Sequence, residues 1–235
     1  MLSLSVIIPV YNEGELIGKT LVGIEHSLKI PHEIVIIYDF EEDNTLQAIQ
    51  LLQESMKNLR IVRNGYGRGV ANAIKSGFAA ARGEAIVVTM GDGSDDPGTI
   101  EAMYRKILEG FDLVCGSRYM DGGVQLGGPR MKRFLSRLAG LSLNLLTGIP
   151  TKDVTSAFKM YRKEIVERID LESDGGFEIS MELTVKAYFA GYRIGEVPTV
   201  WLDRSAGVSK FKMWKWLPRY LRWYYLALRS RSRAS

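Results

Sequence analysis

Three carboxylates, Asp92, Asp95 and Asp96, fall close together in Ile86–Pro97, which reads I-V-V-T-M-G-D-G-S-D-D-P. Clustered hard oxygens flanked by glycine suit a divalent cation that holds a diphosphate. The same residues also suit a strand-to-helix turn in which Ser94, Asp95 or Asp96 caps the next helix. The run before them, Ile86-Val87-Val88-Thr89, has the β-branched character of a fully buried strand. The carboxylates therefore lie at a strand's C-terminal tip, where open α/β sheets bind ligands. Two earlier strands end in similar groups, Asn12/Glu13 and Asp39/Asp43. Asp39 reads as a nucleotide contact or as the cap of the following helix, a task for which Asp43 is better spaced.

The elements that must position these groups alternate. Strands are expected at Ser3–Pro9, Glu33–Tyr38, Leu59–Arg63, Ala85–Met90, Asp112–Gly116, Ser156–Tyr161 and Arg193–Val200. Helical spacing of apolar residues marks Glu15–Leu28, Thr45–Met56, Gly69–Ala81, Pro97–Leu108, Arg130–Leu146 and Phe177–Ala190. Such alternation implies a parallel sheet with right-handed crossovers. The acidic tips then share one edge. Gly122–Pro129, G-G-V-Q-L-G-G-P, reads as a mobile loop.

Composition narrows the classes. The 235 residues suffice for one sizeable α/β domain or a domain with an appendage. The single cysteine, Cys115, sits in an apolar run, excludes an internal disulfide and fits a reducing compartment. His26 and His32 lack metal-ligand spacing. The first residues lack the charged start of a secretory signal, and no apolar run reaches the roughly 18–20 residues of a membrane span. The net charge of +4 is unevenly placed. Residues 204–235 hold nine basic side chains and no acidic one, whereas Met1–Asp203 holds 22 basic and 27 acidic.

Several motifs in order resemble family 2 glycosyltransferases. They are Val6-Ile7-Ile8-Pro9-Val10-Tyr11-Asn12-Glu13, Tyr38-Asp39 with Asp43-Asn44-Thr45, Gly67-Arg68-Gly69 and Gly91-Asp92-Gly93-Ser94. Gly116-Ser117-Arg118-Tyr119, Asp153-Val154-Thr155-Ser156-Ala157-Phe158 and Gly207-Val208-Ser209-Lys210 resemble the branch of dolichyl-phosphate mannose synthases and polyprenyl-phosphate glycosyltransferases. The resemblance implies a GT-A fold, a Rossmann-like nucleotide-sugar-binding α/β sheet with helices on both faces, here over residues 1–210. It implies that Pro9, Tyr11, Asn12 and Glu13 border the base and ribose, that Asp39 contacts the nucleoside and that Gly69 permits close backbone approach. Asp92 would meet Mg²⁺ or Mn²⁺ and the diphosphate, with Ser94 or Asp95 as further ligands. Arg118, Lys132, Arg204, Ser209 and Lys210 would steady the diphosphate and an acceptor phosphate. The expected activity is inverting, metal-dependent transfer of a sugar to a polyprenyl phosphate or membrane glycolipid.

Two residues depart from the pattern. Met90 replaces the first aspartate of the family's D-x-D, which removes one carboxylate ligand. Glu178 stands where the mannose synthases lead one to expect a non-acidic residue. It reads as a general base for a sugar-hydroxyl acceptor or as a helix N-terminal acid.

In the tail, residues 211–235, Met213, Leu217, Tyr220, Leu221, Tyr224 and Leu228 recur at helical spacing, with Lys215, Arg219, Arg222 and Arg229 on another side. A basic amphipathic helix carrying tryptophan suits an anionic membrane surface. A helix packed on the domain and a nucleic-acid arm are the other readings. The expectation is a peripheral protein on the cytoplasmic face of the membrane with no nucleic-acid partner. Two rivals are a non-catalytic nucleotide-sugar-binding protein and a dinucleotide-dependent oxidoreductase using Gly65-Tyr66-Gly67-Arg68-Gly69, whose spacing departs from G-x-G-x-x-G.

Overall fold

The computed structural model describes residues 3–53, 55–203 and 213–234. The first half runs β1 (Leu4–Pro9), α1 (Leu16–Ser27), β2 (His32–Tyr38), α2 (Asn44–Gln53), β3 (Leu59–Arg63), α3 (Val70–Ala80), β4 (Ala85–Val88) and α4 (Thr99–Leu108). There follow β5 (Leu113–Ser117), β6 (Val124–Leu126), α5 (Arg130–Thr147), β7 (Lys159–Arg162), α6 (Lys163–Arg168), α7 (Glu178–Phe189), β8 (Ile194–Pro198), β9 (Val200–Leu202) and α8 (Met213–Ala234).

Seven strands form one sheet in the order β3-β2-β1-β4-β7-β5-β8. Strands β1, β4 and β5 are buried on both faces, which explains their near-continuous apolar runs. In β1, Leu4, Val6 and Ile8 enter one core with α1 and α4, and Ile7 enters the other with α3 and α7. The sheet is not wholly parallel. β7 runs antiparallel to both β4 and β5. Its apolar pattern specifies a strand, and pattern carries no direction.

The glycine-rich stretch is not a mere loop either. Val124–Leu126 pairs in parallel with Val200–Leu202 as a two-stranded ribbon, β6-β9. Gly127 and Gly128, at φ +79° and +78°, supply the left-handed turn that leaves it.

A third, smaller core joins α5, α7 and α8 through Leu143, Met181, Val185, Trp223 and Ala227. Gly140 brings α5 down onto the neighbouring loop. A side chain there would begin 2.0 Å from the Lys152 carbonyl oxygen. Gly140→Ala is therefore expected to lose at least about 1–3 kcal/mol through overpacking, read as a lowered thermal midpoint. An unchanged midpoint would show that α5 can lift without cost.

Candidate active site

Register puts the chemistry on one edge. Pro9 lies opposite Ile37, and Ile7 opposite Val88, so β1, β2 and β4 end nearly level. The segments carrying Asn12, Asp39 and Asp92 therefore leave the same side, as does Arg118 after β5.

The β1 end is tightly tied. Asn12 adopts φ +52°, a left-handed conformation that asparagine tolerates. Its N–H donates to both carboxylate oxygens of Asp43 at 3.0 Å. Asp43 also accepts from Thr45 N, so it is the cap at the start of α2. Asp39 has other work. It accepts from Gly69 N at 2.9 Å and from Asn64 Nδ2 at 2.7 Å, tying the β2 end to the loop before α3. The Glu13 N–H donates to Thr45 Oγ1. Beside this scaffold the half-exposed Tyr11 ring meets Phe40 edge to face at 5.5 Å, and the Arg68 guanidinium stands 5.3 Å over Phe40. Aromatic rings with a cation beside them suit a planar base. Pro9, buried, ends β1 two residues before Tyr11.

The acidic run divides into separate tasks. Asp96 accepts from Gly98 N and Thr99 Oγ1 at the start of α4. Asp95 turns inward and accepts from Thr89 Oγ1 and Met90 N, both at 3.1 Å. Burial, and then the charge of Asp92, push its carboxyl up to about 7. Asp92 accepts from Ser94 N and lines a cleft of about 60 Å³. Of the three expected metal ligands, only Asp92 lines that cleft. Ser94 is buried, with its carbonyl accepting from Leu202 N. No group of three or more His, Cys, Asp or Glu among the described residues could hold a metal by itself. Asp203 lines the same cleft, brought there by β9. The donor set thus fits an ion that draws its other ligands from a diphosphate and water, the usual manner of Mg²⁺.

Three cations face those carboxylates: Arg118, Lys132 and Arg133. Arg118 is no solvated loop charge. It makes a two-pronged pair with Asp153, Nε–Oδ2 2.7 Å and Nη2–Oδ1 2.8 Å, and donates to Ser136 Oγ at 3.2 Å. Its side chain is 10% exposed, and that of Asp153 is fully buried. Lys159 holds this arrangement from beneath. Its buried ammonium donates to the carbonyls of Val154 and Ser156 at 2.8 and 2.7 Å, and burial lowers its pKa.

Arg118 also walls a second groove of about 590 Å³. Arg130, Arg133 and Arg137 line it with Met120, Val124 and Phe134. Sequence reasoning assigned no role to Asp153, Ser136, Lys159, Trp201 or Asp203. Asp153 stood within a quoted motif, and the Arg130/Arg133/Arg137 row was visible as helical spacing on α5.

Glu178 stands in the first turn of α7, away from both clefts. Its carboxylate accepts from Gly176 N at 2.8 Å, faces Arg219 at 3.4 Å and is 1% exposed. It lines neither cleft, so it is not placed as a general base. Arg204, Ser209 and Lys210 lie outside the described residues.

The tail also takes a definite place. Trp223 is 2% exposed, and its Nε1 donates to Ser173 Oγ. Arg219 pairs with Asp174 and Arg222 with Glu172. Helix α8 is packed on the domain, and these cations serve intramolecular pairs. Among the described residues, no helix is long and apolar enough to cross a membrane.

The model of the glycosyl transferase family 2 domain matches residues 5–170. The chain belongs to this family. The chain of this glycosyltransferase family member is 32% identical over 229 residues to a dolichol-phosphate mannosyltransferase of Pyrococcus furiosus, across 95% of this chain and 63% of that protein. It is 31% identical over 211 residues to a polyprenol monophosphomannose synthase of Mycolicibacterium smegmatis, across 87% and 79%. It thus spans less than two thirds of the Pyrococcus relative's length. In fold it is similar to glucosyl-3-phosphoglycerate synthase of Mycobacterium tuberculosis, solved with Mn²⁺, UDP and glucosyl-3-phosphoglycerate, with TM-score 0.69 and 18% identity over 98% of this chain and 80% of that one. That likeness supports the GT-A architecture expected of the family.

Proposed function

We propose that this protein moves a sugar from a nucleotide-sugar to the phosphate of a polyprenyl phosphate at a membrane surface. One observation carries the reading. A small cleft holding Asp92 with three cations adjoins a wider groove with an arginine row and an apolar wall, and Arg118 borders both. The first suits a diphosphate, and the second suits an anion with an apolar chain. The names of the two curated relatives point the same way.

The buried, ion-paired Glu178 favours a phosphate over a sugar hydroxyl as acceptor. A phosphate oxygen is already a nucleophile and needs no base. Its attack forms a new C–O bond at the anomeric carbon as the bond to the departing diphosphate breaks, on opposite faces, so the configuration inverts. Arg118, Lys132 and Arg133 offset the charge that grows on the leaving diphosphate. Tyr11, Phe40 and Arg68 receive the base, with Asp39 and Asn12 shaping the nucleoside end. Asp92, with Asp203 opposite, would hold Mg²⁺ or Mn²⁺. That ion would supply Lewis-acid stabilisation of the departing diphosphate.

The assay offers UDP- and GDP-sugars, with a polyprenyl phosphate or a glycolipid, in the presence of Mg²⁺ or Mn²⁺. Transfer to the phosphate with inverted configuration, abolished by a chelator, is expected. Donor binding with no turnover on either acceptor would instead identify a non-catalytic binding protein.

The surface that would meet lipid is mainly α5. Met131, Phe134, Leu138, Leu141 and Leu145 are exposed at helical spacing, and the helix contains no acidic residue. Exposed Val124, Leu126, Val200 and Leu202 on the β6-β9 ribbon add to the apolar surface, and Val124 shares the wider groove with Phe134. With Arg130, Arg133 and Arg137 this is the composition of a bilayer-interface helix. Phe134, 62% exposed, and Leu138, 50% exposed, can be changed without emptying a core. F134E/L138E is expected to abolish sedimentation with anionic vesicles while the thermal midpoint holds. Undiminished sedimentation would remove α5 from the membrane contact.

A further inference from the structure

Helix α8 reaches the donor side through one segment, residues 172–178. Trp223 bonds Ser173, Arg222 pairs with Glu172, and Arg219 Nη1 lies 2.5 Å from Asp174 Oδ1 and 3.4 Å from Glu178 Oε1. Glu178 in turn accepts from Gly176 N, so the latch closes on the segment's own backbone. The fit is close. A side chain on Gly175 would begin 1.9 Å from Arg219 Nη1 and 2.5 Å from the Trp216 ring. The other side of this segment faces Gly69, where an added Cβ would lie 3.4 Å from the Gly175 carbonyl oxygen. Gly69 N is the group that Asp39 holds at 2.9 Å. Gly175 thus stands between α8 on one side and, on the other, Gly69, whose N–H Asp39 holds.

We infer that Arg219 is a positioning residue for the nucleotide, holding segment 172–178 against Gly69 so that the docking of α8 governs donor affinity. The inference rests on the donor reading above and assigns Glu178 to the latch. Asp174 is exposed and its pair with Arg219 is weak by itself. Glu178 is buried and gives the latch its fixed end. The coupling is local and electrostatic at one end, so it weakens with added salt.

The test titrates UDP and GDP, each with Mn²⁺, into the full chain by calorimetry, and adds steady-state kinetics. R219A is expected to raise the nucleotide Kd and the donor KM about tenfold, within the ordinary range of coupling between sites. The KM for polyprenyl phosphate and kcat should stay put. R219K, which keeps the charge and loses the fork, should recover part of the loss. E178Q should raise donor KM with the pH–rate profile unchanged, whereas a profile that loses its acid-side dependence would return Glu178 to the role of base. Equal nucleotide Kd in wild type and R219A overturns the inference. No nucleotide binding by the wild type overturns the sugar-transfer reading instead. If R219A does not fold, D174N/E178Q opens the same latch from the loop side, and an unchanged Kd there overturns it equally.

Discussion

Asp92→Asn is expected to reduce sugar transfer roughly 10²- to 10³-fold, the scale seen when one preorganised electrostatic group is lost at a charged transition state. The fold should survive. Asparagine keeps the oxygen that accepts from Ser94 N, and the buried backbone around it is unchanged. What disappears is the one carboxylate of the acidic run that lines the cleft opposite Arg118 and Lys132. A labelled-sugar transfer assay beside a thermal melt separates the two effects. Activity within about tenfold of wild type would mean that Asp203 alone carries the electrostatics and that Met90 marks a real loosening of metal use. Asp95→Asn should be milder, since its carboxyl braces Thr89 and Met90 and does not line the cleft.

Asp153→Ala should have the largest effect on stability. It leaves the Arg118 guanidinium buried without its two-pronged partner, and breaking such a pair costs about 3–5 kcal/mol. For a chain of this length that is a drop of roughly 6–20 °C in the melting midpoint. Activity should fall as well, because Arg118, together with Gln125 and Arg133, lines both clefts. Arg118→Lys separates charge from geometry. It retains a cation and loses the fork that matches a carboxylate. A melt of Asp153→Ala that overlays wild type would mean that Ser136 and water suffice to hold Arg118.

Much of this was legible in the residues. The β-branched runs of β1, β2 and β4, the amphipathic helices between them and the polar groups at the strand tips all pointed to a single working edge. The motifs around Asn12, Asp39, Asp92 and Arg118 named the family. Other features depend on partners far along the chain. Glu178 faces Arg219, 41 residues away, a partner that no local pattern announces. The same distance problem hid the packed state of α8. Helical spacing announces an amphipathic helix, but lipid and protein accept the same apolar face. Trp223 chose protein because Ser173, Met181 and Val185 leave a socket for it. The β6 strand was invisible because three residues between glycines show no period. Helix α6 follows β7 without a loop and is too short to declare itself.

The reversed strand β7 has a consequence for how the two clefts are tied together. Because it runs against its neighbours, its first residue, Lys159, stands beside Val88 and Cys115 at the working edge. The segment leading into it, with Asp153, is thereby delivered between the two clefts. On one side of this seam lie β3, β2, β1 and β4 with Asn12, Asp39 and Asp92 at their ends. On the other lie β5 and β8, from whose ends Arg118 and the ribbon depart. The cleft that holds Asp92 is closed from beyond the seam by Arg118, Lys132, Arg133 and Asp203, so a change on that side alters both clefts at once.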